Sequence, residues 1–209
     1  MAQRRTGTAA ILAVVSWFAL GLQLYLMVRL NSAQNIALSF TLTNFFSYFT
    51  ILSNLLVAIV YSFAAVSLDK LSPSIQAATA TYIVIVSAGY SLLLRHVWNP
   101  QGTQKVADEL LHDVIPALYA LFWLVFCRKR RSLSWTPAFK WLIFPGIYFF
   151  YVMVRGSVAG WYPYPFLDPA QASKASIFIV IFGFLVAFII IGLVVIALTR
   201  RNPADTLQQ

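Results

Sequence analysis

Charged residues are scarce in this sequence. They make up 10% of the 209 residues, while 60% are hydrophobic, whereas a soluble globular domain carries roughly 25% charged residues. So few charges cannot cover a water-facing surface, which excludes a soluble domain. The apolar residues form long blocks, and a helix of about 20 apolar residues crosses a bilayer. Residues 1–209 are therefore predicted to form one membrane-embedded domain.

The residues that build metal, disulfide and common hydrolase sites are also few. The sequence has one cysteine, Cys127, and two histidines, His96 and His112, which excludes an intramolecular disulfide and argues against a zinc site. It has no His-Glu-x-x-His pair, no phosphate-binding glycine loop and no Gly-x-Ser-x-Gly turn. The paired interrupted spans of many transporters are absent. We expect neither a metal ion nor a cofactor.

What the sequence does have is six apolar blocks, which predict an all-α bundle of six transmembrane helices. Backbone polar groups in lipid must bond within their own segment, so the spans are helices rather than open strands. The predicted spans are residues 9–30, 44–66, 75–94, 109–126, 138–158 and 175–199.

Basic residues lie at the ends of these blocks, which indicates topology rather than nucleic-acid binding despite the net charge of +9. The two sides of the membrane would be unequal in Lys and Arg. The richer side collects Arg4, Arg5, Lys70, Arg128, Lys129, Arg130, Arg131, Lys140, Arg200 and Arg201, and the poorer side Arg29, Arg95, Lys105, Arg155 and Lys174. The richer side is predicted to be cytoplasmic, which places both termini inside.

Polar side chains within the spans are functional candidates, because they cost free energy in hydrocarbon unless they find a partner. Thr43, Ser47, Thr50 and Asn54 recur every three or four residues, which predicts one polar stripe on the second helix. Such residues often join membrane helices by hydrogen bonds, and we interpret Thr43 and Ser47 in this way. Asn54 lies deeper, as a packing or positioning residue.

The fourth span places His112 among carboxylates. Asp108 lies four residues before it and Asp113 directly after it. Imidazole can move protons near neutral pH, and either carboxylate could orient the ring. A solvated histidine paired with a carboxylate at the helix mouth is an equally good interpretation.

Two arginines lie near the outer ends of other spans. Arg95 ends the third span, and Arg155 shares a face of the fifth with Tyr148 and with Tyr151 or Val152. Arg155 could extend to the headgroups, or face the bundle and hold a carboxylate or an anionic lipid group. A purely structural ion network remains open. The aromatic run at residues 160–169 is interpreted as an interfacial anchor, with a lid over a cavity as the alternative.

Three segments together resemble a known family: residues 44–54, residues 110–119, and Arg155-Gly156 with residues 160–168. The chain resembles the bacterial six-span proteins related to the androgen-induced membrane proteins of animals. The resemblance implies an intramembrane hydrolase of fatty acid esters of hydroxy fatty acids, located in a bacterial plasma membrane. It implies Thr50 as nucleophile and His112 as base. It implies membrane lipids and a lipid-like substrate as partners, without nucleic acid.

The implied pairing requires a particular geometry. Thr50 lies about two turns into the predicted second span, roughly 9 Å below its start at 1.5 Å per residue. A tilted helix or a later helix start is needed to bring it to His112. Ser47, Asn54 and Arg155 are the nearest candidates to stabilise an oxyanion.

Two other functions fit the same residues. The protein could bind or transport a lipid or small solute without catalysis, with Arg95 and Arg155 gripping an anionic head. It could also be a structural subunit of a larger complex.

Overall fold

Long apolar helical stretches make up most of the described part of the molecule. The computed structural model describes residues 2–128 and 131–200, and every element in these ranges is helical. Six helical stretches are long and apolar enough to cross a membrane: Gln3–Ala33, Phe49–Lys70, Pro73–Leu94, Gly102–Cys127, Thr136–Ala159 and Lys174–Thr199. The protein is thus an all-α, multi-pass membrane protein, which confirms the prediction from the apolar blocks.

The helices are α1 (Ala2–Ala33), α2 (Leu38–Phe45), α3 (Phe49–Ser67), α4 (Pro73–Gly89), α5 (Gly102–Glu109), α6 (Ile115–Phe122), α7 (Thr136–Lys140), α8 (Ile143–Ala159) and α9 (Lys174–Thr199). Three π-helical turns interrupt or extend them: Tyr90–Leu94 continues α4, Leu110–Val114 joins α5 to α6, and Trp123–Cys127 continues α6. Such turns inside membrane helices often mark functional sites.

The second span differs from its prediction at its start. The predicted span begins at residue 44, whereas the structure has the short helix α2, a break at residues 46–48 and then α3. The Ser47 hydroxyl donates to the Thr43 carbonyl, a bond that bends helices, and the Tyr148 hydroxyl donates to the Ser47 carbonyl freed by the break. The four polar residues therefore do not form one stripe on one helix.

An aromatic cluster fills the centre of the bundle between α3, α4, α8 and α9. Ring centroids lie 5.0–6.5 Å apart, mostly in edge-to-face or tilted arrangements, the geometries that aromatic pairs favour. Its members are Phe49, Tyr82, Phe144, Tyr148 and Phe188. Because Phe49 is the first residue of α3, this packing holds the start of that helix in place.

The start of α1 and the end of α9 lie at the same end of the bundle, which we call the terminal end. Arg5 forms an ion pair of 3.0 Å with Asp69, and the Leu133 N–H donates to Thr199 Oγ1 at 3.2 Å. Residues 34–37, 95–101 and 160–173 lie at the opposite end, which we call the site end. Lys129, Arg130 and Arg201 of the predicted basic side lie outside the described residues. Which end is cytoplasmic stays a prediction.

Candidate active site

Thr50 and His112 meet at the site end, between α3 and the π turn at Leu110–Val114. Thr50 lies in the first turn of α3, is 8% exposed, and places its Oγ1 at 3.3 Å from Nε2 of His112. The later start of the helix, at Phe49, brings Thr50 to the depth of His112. This is one of the two geometries that the sequence required for the pair.

Asp108 is the carboxylate that faces His112. Nδ1 of His112 lies 3.2 Å from Asp108 Oδ1 and 3.0 Å from the Asp108 carbonyl oxygen, and Asp108 is 6% exposed. Asp113 instead forms an ion pair with Arg95 at the surface. A hydrogen on Nδ1 directed at Asp108 leaves Nε2 free to accept the Thr50 hydroxyl, as a general base requires.

Tyr90 holds both His112 and Asp108. Its ring stacks on the imidazole at 4.0 Å between centroids and 15° between planes, and its hydroxyl donates to Asp108 Oδ2. The Arg95 guanidinium lies 4.8 Å above the Tyr90 ring. Tyr90 is not among the residues predicted from the sequence, where its one signal is a phenol near the end of an apolar span.

Asn54 and Pro116 explain why His112 stands in a π turn. The Ile115 N–H donates to the Leu110 carbonyl instead of the Leu111 carbonyl. Pro116 is the next residue along and has no N–H, so the helix offers no donor to the Leu111 carbonyl. The Asn54 amide donates to that carbonyl at 3.0 Å and to the Thr50 carbonyl at 2.9 Å. Asn54 thus ties the turn of His112 to the helix of Thr50. Both amide hydrogens are used, which argues against Asn54 as an oxyanion donor.

Tyr164 reaches Thr50 from the aromatic loop, residues 160–168. Its hydroxyl lies 3.4 Å from the Thr50 backbone nitrogen and 3.5 Å from Thr50 Oγ1. That backbone N–H belongs to the first turn of α3, where helices leave their N–H groups without a helical acceptor. Burial raises the pKa of Tyr164, which keeps its hydroxyl protonated and able to donate. The sequence predicts only an anchoring or lid role for this loop and does not single out Tyr164.

The aromatic loop is held by close packing. Gly160 ends α8 in the left-handed region at φ 66°, which favours glycine. A Cβ on Gly156 would lie 2.1 Å from the Tyr162 ring, so the ring packs directly on the α8 backbone. Tyr164 stacks on Phe166 at 5.1 Å, and Tyr48 makes edge contacts with Trp161 and Tyr164. The loop therefore covers the site as a packed element.

Thr50 opens onto a narrow apolar cleft between α4, α8 and α9. Apart from Thr50 and three tyrosines its lining is entirely apolar, which suits a hydrocarbon chain. The lining residues are Phe49, Thr50, Ile85, Val86, Gly89, Tyr90, Leu94, Tyr148, Phe149, Tyr164, Phe166, Phe184 and Phe188.

The remaining sequence candidates do not contact the Thr50 hydroxyl. The Tyr148 hydroxyl donates to the Ser47 carbonyl at 3.0 Å, and this bond supports the helix break. Arg95 and Asp113 pair at the surface beside Tyr90. Arg155 donates to Asn44 and lies beside Trp161. Neither Ser47 nor Arg155 is the nearest donor to Thr50, because Tyr164 occupies that position.

These contacts define a class of site: a Thr–His–Asp row at one end of a multi-pass membrane bundle, covered by an aromatic loop and open to an apolar cleft. Within residues 2–128 and 131–200, no three His, Cys, Asp or Glu side chains are grouped so that they could hold a metal ion. The chain matches no protein-family model, no curated protein and no solved structure.

Proposed function

We propose that the protein is an intramembrane hydrolase of lipid esters, with Thr50 as nucleophile and His112 as general base. The observation that carries this proposal is the row of Thr50 Oγ1, the His112 ring and Asp108, joined by contacts of 3.3 Å and 3.2 Å. A threonine hydroxyl is a weak nucleophile until a base takes its proton, and a base works best when a third group orients it.

The reaction proceeds through an acyl-enzyme. Thr50 Oγ attacks the ester carbonyl carbon while His112 Nε2 takes the hydroxyl proton. The tetrahedral intermediate then expels the alcohol, which leaves with the proton from His112. A water molecule attacks the acyl-Thr50 ester, His112 takes a proton from it, and the carboxylic acid departs as Thr50 recovers its hydroxyl hydrogen. Asp108 stays ionised and holds the imidazole in the required tautomer.

Two donors are placed to stabilise the oxyanion. The Thr50 N–H and the Tyr164 hydroxyl lie together beside the nucleophile, 3.4 Å apart. A substrate oxygen between them would receive a hydrogen bond from each. These two bonds would replace the present one between the Thr50 N–H and the Tyr164 hydroxyl. Hydrogen bonds that are long before substrate binds commonly tighten in the reacting complex.

The apolar cleft supports a lipid as the substrate. Its walls are mostly aromatic and aliphatic side chains, and the nucleophile Thr50 is among the lining residues. An acyl chain in this cleft would leave its ester carbonyl at Thr50. The resemblance to the threonine hydrolases supports the same two residues and suggests fatty acid esters of hydroxy fatty acids. A bacterial plasma membrane location rests on that resemblance alone.

Covalent labelling of the purified protein with a fluorophosphonate tests the proposal. Thr50 should displace fluoride, and intact mass should show one added phosphonyl group. We expect Thr50→Val and His112→Ala to abolish labelling, and Asp108→Asn to slow it by about 10²-fold or more, since oriented acid–base catalysis contributes that much. Thr50→Ser should retain part of the rate. Thr43→Val is the matched control, because Thr43 is exposed on α2.

The same experiment distinguishes the non-catalytic alternative. Thr50→Val keeps the shape of threonine, so a protein that only binds or carries lipid would tolerate it. A folded wild type that neither labels nor hydrolyses a p-nitrophenyl fatty acid ester would rule out the hydrolase and favour lipid binding. Labelling that persists in Thr50→Val would rule out Thr50 as nucleophile.

A further inference from the structure

Arg155 lies near the end of α8 with its guanidinium turned into the bundle. One nitrogen, Nη2, donates to the side-chain oxygen of Asn44, which is 4% exposed on α2. The guanidinium carbon lies 5.1 Å from the centre of the Trp161 ring. Long basic side chains at the ends of membrane helices usually extend towards water. Here Asn44 and Trp161 hold the group away from it.

Arg155 forms no ion pair in the described part of the chain. Its second nitrogen, Nη1, is buried without a hydrogen-bond partner, and none of the ion pairs among the described residues includes Arg155. An arginine side chain remains charged in proteins. Leaving a buried charged donor unpartnered is costly, and more so within the depth of a membrane. A bound anion would satisfy both the charge and the free nitrogen.

The surroundings indicate what kind of anion fits. The paired hydroxyls of Ser47 and Tyr151 are 3.2 Å apart, three residues after Asn44 and four residues before Arg155 in the chain. The adjacent face of α8 is apolar and uncovered by other helices, with Phe150, Val154 and Val158 exposed. An oxyanion can take both guanidinium nitrogens at once, while an attached hydrocarbon chain can lie along that face.

We infer that Arg155, with Asn44, binds the acidic headgroup of a membrane amphiphile, a carboxylate or a phosphate, whose acyl chain lies along α8. This site does not touch Thr50 and does not depend on the proposed hydrolysis. Trp161 connects the two regions, because it contacts both Arg155 and the Tyr48 ring beneath the aromatic loop. An anion bound at Arg155 would therefore affect the position of the aromatic loop, which carries Tyr164.

Thermal unfolding in neutral detergent measures the binding, because a ligand that binds only the folded state raises Tm. The ligands are oleate, oleoyl lysophosphatidate and the uncharged oleyl alcohol. We expect at least one acidic ligand to raise the Tm of the wild type and oleyl alcohol to leave it unchanged. Arg155→Gln should bind roughly tenfold or more weakly, since it loses a charge-assisted contact. Arg29→Gln, the same change at an exposed arginine of the site end, should bind as the wild type does.

Asn44→Asp tests the site while keeping Arg155. The new carboxylate would supply the missing counter-charge from within the protein, so we expect a higher Tm without ligand and loss of the acidic ligand's effect. A shift with oleate alone identifies a carboxylate ligand, and a shift with the lysophosphatidate alone identifies a phosphate headgroup. The inference is overturned if no acidic ligand raises Tm, if Asn44→Asp responds as the wild type does, or if Arg29→Gln loses the response to the same extent.

Discussion

His112 is held through both ring nitrogens and one ring face. Nδ1 lies 3.2 Å from Asp108, Nε2 lies 3.3 Å from Thr50, and the Tyr90 ring stacks on it at 4.0 Å. A side chain fixed on three sides loses little freedom when it reacts, which is the condition for efficient proton transfer. By residue spacing, either Asp108 or Asp113 could orient the ring. Only the contacts in the folded chain show that Asp108 is the one that faces it.

Tyr164→Phe tests the oxyanion role at the residue scale. Removal of one such donor costs roughly 10²–10³-fold in kcat in other enzymes, and we expect a similar fall here with little change in KM. Burial raises the pKa of Tyr164 above its usual value near 10. Deprotonation removes the donor as pH rises through that higher pKa, so the wild type should retain the Tyr164 contribution up to at least about pH 10.

Steady-state ester hydrolysis across pH measures both effects. Tyr162→Phe is the matched control, since that ring packs on Gly156, and it should retain wild-type kcat. Equal kcat in Tyr164→Phe and wild type would exclude the hydroxyl from catalysis.

At the scale of elements, the site depends on two interrupted helices. The break at residues 46–48 makes Thr50 the second residue of a new helix, with its N–H unused by the helix. The π turn at Leu110–Val114 leaves a carbonyl that Asn54 reaches from α3. Each interruption exposes backbone groups within the depth of the membrane, and each set of groups is bonded by a side chain from a neighbouring element.

Substitutions at Asn54 and Pro116 should therefore have non-additive effects on the free energy of unfolding. Asn54→Leu leaves the Leu111 carbonyl without a donor, which should destabilise the protein by about 1–3 kcal/mol. Pro116→Ala supplies an N–H that can bond to that carbonyl across the π turn, so Asn54→Leu should cost less in a Pro116→Ala background. Unfolding of the four proteins in mixed micelles gives the coupling free energy. Strictly additive effects would contradict this account of the turn.

At the scale of the whole molecule, the terminal end collects both ends of the described chain. Arg5 pairs with Asp69, and Thr199 accepts a bond from Leu133 near the start of α7. Six spans would place the two ends on the same side of the membrane. The excess of Lys and Arg predicts that this side is cytoplasmic, which would place Thr50 and the aromatic loop near the outer surface.

Labelling of single cysteines by a membrane-impermeant reagent tests that orientation. In a Cys127→Ala background, Ala170→Cys at the site end should react in intact cells. Ser132→Cys, at the terminal end, should react only after the cells are permeabilised. Both positions are exposed, so burial does not account for a difference. The reverse pattern would invert the topology and place the candidate site on the cytoplasmic side.

Much of the architecture could be predicted from the sequence, because hydropathy and span length are local properties. Each of the six predicted spans corresponds to one membrane-length helix, although α1 and the helix of His112 extend beyond the predicted limits. The sequence places Thr50 in a polar stripe and His112 within a span, and a resemblance in local segments implies their roles. The folded chain brings them to 3.3 Å. Their chemical roles stay predictions.

The tertiary structure alone decided how the site is completed. It selects Asp108 over Asp113, adds Tyr90 and Tyr164, and turns Arg155 towards Asn44. These contacts join residues far apart in the chain, and regular helical spacing does not describe the helix break or the π turn that direct them. Periodicity assigns a side chain to a helix face, but the neighbours that meet that face depend on how the helices pack.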